Sequence, residues 1–108
     1  MSSDTTPSVA SKTSNGVCTI YINRPESLNA LNPDVLKSLL REMQCVERDT
    51  STRVVVIRGS GDKAFVAGAD IRSMSGLGAP EIAEYVALGP RTLRAIEQCR
   101  VPVIAAVH

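Results

Sequence analysis

Aromatic residues are scarce in this 108-residue chain, and neither sign of charge dominates. Aromatics make up 3% of the residues, Trp is absent, and the formal net charge is +1. Proteins that bind single-stranded nucleic acid stack bases on aromatic side chains, and proteins that bind anionic polymers or membranes carry a basic surface. The composition therefore argues against a nucleic-acid partner and against an anionic membrane surface.

Cysteine is also rare, and long apolar runs are missing. The three cysteines, Cys18, Cys45 and Cys99, are odd in number and far apart. Their spacing matches neither a disulfide framework nor a zinc site, so we expect reduced thiols, no metal and a cytoplasmic protein. No apolar run approaches the roughly 20 residues that a membrane-spanning helix needs, so no membrane association is expected.

The first sixteen residues differ in composition from the rest of the chain. They are rich in Ser and Thr and lack an apolar segment of the kind that a secretory signal contains. We predict a disordered leader over residues 1–16 and one domain over residues 17–108.

Strand and helix patterns alternate through the first half of that domain. Residues 17–23 are β-branched and aromatic, which predicts a first strand, and the continuous apolar run at 53–58 predicts a strand buried on both faces. Between them, Asn32 supplies an N-cap and Pro33 a first helical residue. The apolar spacing that follows predicts an amphipathic helix of about four turns.

The second half of the domain continues the alternation. Pro80 begins a helix in which Gly89-Pro90 predicts a kink or a split. We predict that its apolar face is formed by Ile82, Val86, Leu93 and Ile96. Residues 101–107 predict a third buried strand, and this order of elements indicates an α/β fold with parallel strands. Because a buried strand stands at the end, we expect the sequence to be unfinished.

A turn of small residues follows the 53–58 strand. Ala67, Gly68 and Ala69 have almost no side chain, so a ligand can approach the backbone N–H groups closely. Asp70 is a good N-cap type, and a helix N-terminus favours negative charge. The stretch has two interpretations, an anion cradle or an ordinary turn. It lies at the carboxyl end of a strand, where open α/β sheets bind their ligands.

Three segments of the chain carry motifs in a specific order. They are Asn23-Arg24-Pro25 with Leu28-Asn29-Ala30-Leu31, the stretch from Lys63 to Ile71, and the stretch from Pro102 to His108. Together they resemble the enoyl-CoA hydratase/isomerase family, also called the crotonase superfamily. The resemblance covers residues 17–108 and implies an α/β, crotonase-like β-β-α superhelix that is incomplete, with only its amino-terminal part present. It also implies that this partial domain binds acyl-CoA thioesters.

The resemblance implies a chemistry for the small-residue turn. By its match, Ala69 donates its backbone N–H to the thioester oxygen as half of an oxyanion hole, which stabilises an enolate. The match assigns substrate and CoA binding to Leu28, Ala30, Ala67, Gly68, Asp70, Ile71 and Arg72. The implied enzyme is a lyase that hydrates 2-enoyl-CoA, as in fatty acid β-oxidation, and is a homo-oligomer when full length. It needs no cofactor, because coenzyme A is part of the substrate.

Other parts of the family's site have no match in the chain. The second oxyanion donor and the acid/base glutamates of the hydratases correspond to positions after His108, and Glu26 stands where relatives often have a basic residue. We interpret Glu81, Glu84 and Glu97 as solvent-facing helix residues. The chain is therefore expected to be inactive alone. The alternatives are a non-catalytic CoA-binding or assembly module, an enoyl-CoA isomerase and an acyl-CoA hydrolase.

Overall fold

The computed structural model describes residues 9–23, 31–60 and 78–106. Its elements are, in chain order, β1 (Val9–Ser14), β2 (Val17–Ile22), α1 (Pro33–Arg48), β3 (Val54–Gly59), α2 (Ala79–Glu97) and β4 (Val103–Ala106). The strands form one sheet in the order β1-β2-β3-β4, in which β1 is antiparallel to β2, whereas β2, β3 and β4 are mutually parallel. The predicted α/β alternation is confirmed.

Strand β1 corrects the prediction that residues 1–16 form a disordered leader. Val9–Ser14 pairs with β2 along its whole length, and the side chain of Val9 is buried. The two strands are joined by Asn15 and Gly16, whose φ angles are 53° and 81°. Two consecutive residues with positive φ form the type I′ turn that matches the twist of a hairpin. The leader prediction is therefore wrong for Val9–Ser14, and residues 1–8 lie outside the described residues.

Helix α1 begins and ends as its sequence predicts. Asn32 is the N-cap, with its Oδ1 accepting the backbone N–H of Val35 at 2.8 Å, and Pro33 is the first helical residue. The 16 residues of the helix correspond to about four turns. Its buried side chains are Val35, Leu36, Leu39, Met43 and Val46. Most of them pack against β1, β2 and β3 in the main hydrophobic core.

Helix α2 differs from its prediction in two ways. It runs without a break through Pro90, so the predicted split is wrong. Pro90 is on the exposed side, where water can reach the carbonyl that loses its intrahelical donor. The predicted apolar face is wrong at Val86 and Leu93, which are 60% and 61% exposed, whereas Ile82 is half-buried and Ile96 packs against the main core. The buried residues are instead Tyr85, Leu88 and Thr92.

Among the described residues, the side chains on the two faces of β3 are buried to different extents. Val55 and Ile57 of β3 are buried on the side of α1, whereas Val54 and Val56 are half-buried. The expectation that this strand is covered on both faces is therefore wrong in the structure. Strand β4 is at the sheet edge, and its Ile104 is 53% exposed. It is therefore an edge strand rather than the buried strand that its apolar sequence predicted.

Candidate functional site

The three parallel strands end together at one edge of the sheet. Ile22 of β2 is the register partner of Gly59 in β3, and Arg58 is the partner of Ala106 in β4. The backbone N–H of Ser60 donates to the carbonyl of Ile22 at 2.8 Å, which extends the pairing past the strand end. Neighbouring strands are about 4.8 Å apart, so the carboxyl ends of β2, β3 and β4 lie within roughly 10 Å of one another.

Each of the three family-like segments continues from this edge. Residues 24–30 follow β2 and Asn23, residues 61–77 follow β3 and Ser60, and residues 107–108 follow β4. The predicted site residues Leu28, Ala30, Ala67, Gly68, Ala69, Asp70, Ile71 and Arg72 all lie in these stretches and outside the described residues, as do Glu26 and His108. The assignments to individual residues therefore stay predictions.

The far end of the first segment is fixed by two described contacts. Leu31 follows Ala30 directly, and its backbone carbonyl accepts a hydrogen bond from the hydroxyl of Tyr85 on α2 at 2.5 Å. The next residue, Asn32, caps α1. Tyr85 is 5% exposed and packs with Leu36, so the bond lies at the buried contact between the two helices.

Tyr85 is a residue that the sequence reasoning missed. The signal that identifies it is the spacing of Tyr85, Leu88 and Thr92, which recur every three or four residues along α2. The predicted face left out Leu88 as well as the two hydroxyl side chains, and it therefore pointed toward Val86 and Leu93. The Tyr and Thr can be buried because their hydroxyls have carbonyl acceptors.

Helix α2 begins at Ala79, ten residues after Ala69 of the small-residue turn. Its N-cap is Gly78, whose backbone N–H donates to Oε2 of Glu81 at 3.2 Å. Glu84 forms an ion pair with Lys37 of α1 at 3.5 Å, with both side chains more than half exposed. Glu81, Glu84 and Glu97 are all exposed, which confirms that they are solvent-facing helix residues.

One positive charge lies close to the edge where the strands end. Arg58 is the second-to-last residue of β3. Its guanidinium lies 5.7 Å from the ring centre of Tyr21, its register partner on β2. This distance is within the range of a cation–π contact. Arg58 is exposed, so its charge is available to solvent.

The described residues contain no metal-binding cluster and no membrane-spanning helix. Within the ranges 9–23, 31–60 and 78–106, no group of three or more His, Cys, Asp or Glu side chains is placed to hold a metal ion. Cys18, Cys45 and Cys99 are free thiols. Neither α1 nor α2 combines the length and the apolar character needed to cross a membrane.

Comparison with known proteins identifies the family. The enoyl-CoA hydratase/isomerase family model matches residues 12–108. The chain is 48% identical over 89 residues to crotonyl-CoA hydratase of Syntrophomonas wolfei, which covers 82% of this chain and 34% of the relative. It is 41% identical over 92 residues to short-chain-enoyl-CoA hydratase of Clostridium acetobutylicum, covering 85% of this chain and 35% of the relative.

Solved structures that match the fold belong to the same family. The crystal structure of enoyl-CoA hydratase from Mycobacterium smegmatis matches with a TM-score of 0.87 and 35% sequence identity, over 95% of this chain and 40% of that one. The predicted crotonase-like α/β fold is thereby confirmed. The chain spans about a third of the length of the curated relatives that it matches. Because the family model matches nearly the whole chain, the protein belongs to the enoyl-CoA hydratase/isomerase family.

Proposed function

We propose that this chain supplies the acyl-CoA-binding part and one oxyanion donor of an enzyme that hydrates 2-enoyl-CoA. The observation that carries the proposal is the common edge at which β2, β3 and β4 end. From that edge the family-like segments at 24–30 and 61–77 continue, with the Ile22 to Gly59 register bringing their starting points side by side. Ligands of α/β sheets bind at the carboxyl ends of parallel strands.

The chemistry assigned to Ala69 needs only its backbone. As a thioester is converted toward an enolate, negative charge develops on the carbonyl oxygen, and a fixed N–H dipole stabilises it without reorganising. One such donor contributes on the order of 3 kcal/mol, or about a hundredfold in rate. The small side chains at Ala67 and Gly68 allow the thioester to approach the chain closely.

The remaining residues of the segments would bind the CoA portion of the substrate. Leu28 and Ala30, together with Ile71, would line the channel for the adenine and pantetheine groups, and Asp70 would begin the helix after the turn. Arg72 would point its charge toward the CoA phosphates. The substrate brings its own coenzyme A, so the proposed reaction needs no further cofactor. We also propose a homo-oligomer in the cytoplasm as the working form of the full-length enzyme.

The proposal is tested by the carbonyl vibration of bound substrate. Crotonyl-CoA labelled with carbon-13 at the thioester carbonyl is titrated into the protein, and difference infrared spectra are recorded. A hydrogen bond from Ala69 polarises the carbonyl, so the bound band is expected at lower frequency than the free band. Ala69→Pro removes the N–H and is expected to abolish that shift.

The matched control is Ala79→Pro. Ala79 is exposed in the first turn of α2, where proline is tolerated, so this variant carries the same replacement outside the site. It is expected to keep the infrared shift. A shift that survives Ala69→Pro would exclude Ala69 as the donor, and a protein that binds no crotonyl-CoA at millimolar concentration would refute the function as proposed.

A further inference from the structure

We propose that Tyr85 is a positioning residue for the acyl-CoA site, and that it acts through the backbone carbonyl of Leu31. This inference rests on the function proposed above. The hydroxyl of Tyr85 donates to the Leu31 carbonyl at 2.5 Å, joining residues 54 positions apart in the chain. The ring is 5% exposed and lies among Leu36 and Leu88, so it has little freedom to move the hydroxyl away.

The bond acts at the end of a segment to which CoA binding is assigned. Leu31 is one residue after Ala30 and three after Leu28. A residue spans at most about 3.6 Å of chain, so a displacement of Leu31 is transmitted to both positions. On the other side, the Asn32 cap fixes the start of α1. The contacts at Leu31 therefore include the adjoining helix cap along the chain and the Tyr85 hydroxyl across it, together with its packing against both hydrophobic clusters.

The same bond connects the two parts of the proposed site. Tyr85 is on α2, which begins at Ala79, ten residues after Ala69. Leu31 ends the segment that contains Leu28 and Ala30. A single partly buried hydrogen bond thus links the first described helix after the oxyanion turn to Leu31, at the end of the segment to which CoA binding is assigned. Because the Tyr85 side chain is 5% exposed, its hydroxyl has limited access to water as a replacement for this acceptor, which favours the observed geometry.

Thr92 provides a matched comparison on the same helix face. Its buried hydroxyl donates to the carbonyl of Leu88 at 2.8 Å and lies 3.4 Å from that of Leu36. Both acceptors are inside helices and neither adjoins a family-like segment. Loss of the Thr92 hydroxyl therefore removes a buried hydrogen bond without touching Leu31.

The experiment compares Tyr85→Phe with Thr92→Val in the 108-residue chain. Crotonyl-CoA is titrated while nitrogen-15 amide spectra are recorded, which gives a dissociation constant and the resonances of individual residues. Tyr85→Phe is expected to raise the dissociation constant about fivefold, and Thr92→Val to leave it within about twofold while lowering the thermal midpoint. Without ligand, the amide resonances of Leu28 and Ala30 are expected to shift in Tyr85→Phe and to stay in place in Thr92→Val.

Two results would overturn the inference. The first is a dissociation constant that Tyr85→Phe leaves unchanged, and the second is an equal change in both variants, which would indicate a general loss of stability. If the wild-type chain binds no crotonyl-CoA, the proposed function fails while the positioning role is still decided by the amide resonances. Unshifted resonances of Leu28 and Ala30 in Tyr85→Phe would then refute it.

Discussion

The side chain of Arg100 lies against the end of α1, where its Nη2 atom donates to the backbone carbonyl of Asp49. The same nitrogen is 3.1 Å from the carbonyl of Val46 and 3.3 Å from that of Thr52. The backbone N–H of Arg100 donates to Oε1 of Glu47 at 2.9 Å. The last carbonyls of a helix have no intrahelical donor and favour a nearby cation. One arginine thus connects the chain entering β4 with the chain entering β3.

Removing this side chain is expected to destabilise the fold. Arg100→Ala removes a charged donor that three carbonyls share. Two of these carbonyls also accept backbone N–H groups, that of Val46 from Asp49 and that of Asp49 from Thr52, and the bonds to Arg100 are partly exposed, so we expect a loss of about 1–2 kcal/mol in the free energy of unfolding. Urea denaturation measures the loss. Arg91→Ala, at an exposed arginine of α2, is the control and is expected to change the free energy by less than about 0.5 kcal/mol. Equal losses in the two variants would contradict the capping role of Arg100.

The carboxylate of Asp49 is held by the loop that follows it. Its Oδ1 accepts the hydroxyl of Ser51 at 2.6 Å and the backbone N–H of Ser51 at 3.0 Å, and its Oδ2 accepts the hydroxyl of Thr52 at 3.1 Å. These bonds, the Ser51 hydroxyl first, hold the pKa of Asp49 below its ordinary value of 3.8. They favour the charged form, since a carboxylate accepts hydrogen bonds more strongly than a protonated carboxyl group does.

This lowered pKa predicts an acid-dependent loss of stability. A carboxyl group whose pKa is lower in the folded than in the unfolded protein stabilises the fold fully above the unfolded pKa. Its contribution is then lost as the pH falls below about 4 and through the folded pKa. Asp49→Asn removes the titration, so the difference in urea midpoint between wild type and variant is expected to shrink between pH 6 and pH 2. A difference that stays constant over this range would contradict the prediction.

The turn at Asn15-Gly16 shows why strand β1 was missed. The strand itself is polar apart from Val9 and Ala10, so its hydrophobic pattern is weak. The hairpin is instead encoded by the Asn-Gly pair, which adopts positive φ readily. Helix α1 was predicted correctly because Asn32 and Pro33 act locally, within a few residues of the helix start. Local rules thus identify caps and turns better than they identify the face that a helix buries.

In that turn, we expect substitution of Gly16 to cost the most stability. Its φ of +81° lies in the region that side chains disfavour, although a Cβ there would meet only ordinary contacts, such as Cδ of Arg53 at 3.4 Å. Gly16→Ala is therefore expected to cost about 1 kcal/mol of stability through the backbone rather than through a clash. Gly16→Asn is the matched variant, because Asn tolerates positive φ better, and it is expected to lose less in the same urea measurement. If Asn and Ala are equally destabilising, crowding rather than φ controls the position.

The buried face of helix α2 could not be predicted from local sequence rules. Its buried face contains Tyr85 and Thr92, whose hydroxyls reach the carbonyls of Leu31 and Leu36, 54 and 56 positions away in the chain. Burial of a polar side chain depends on whether tertiary structure provides the acceptor, and a single sequence does not show this. Strand β4 shows the same limit, since an apolar sequence is equally compatible with a central and an edge position in the sheet. The family motifs, in contrast, were identified from sequence because their residue types and spacing are specific.

The 108-residue chain is expected not to hydrate crotonyl-CoA above the rate in buffer. It contains one expected oxyanion donor, and a second would contribute about a hundredfold. Its helix glutamates Glu81, Glu84 and Glu97 are exposed, and a missing general acid or base costs about 10²–10⁴-fold each. Loss of the enoyl absorbance measures the rate, with Ala69→Pro as the control. If the chain turns over crotonyl-CoA faster than buffer and Ala69→Pro abolishes this turnover, the chain carries its own acid/base groups. Micromolar binding without turnover would instead favour a non-catalytic CoA-binding module.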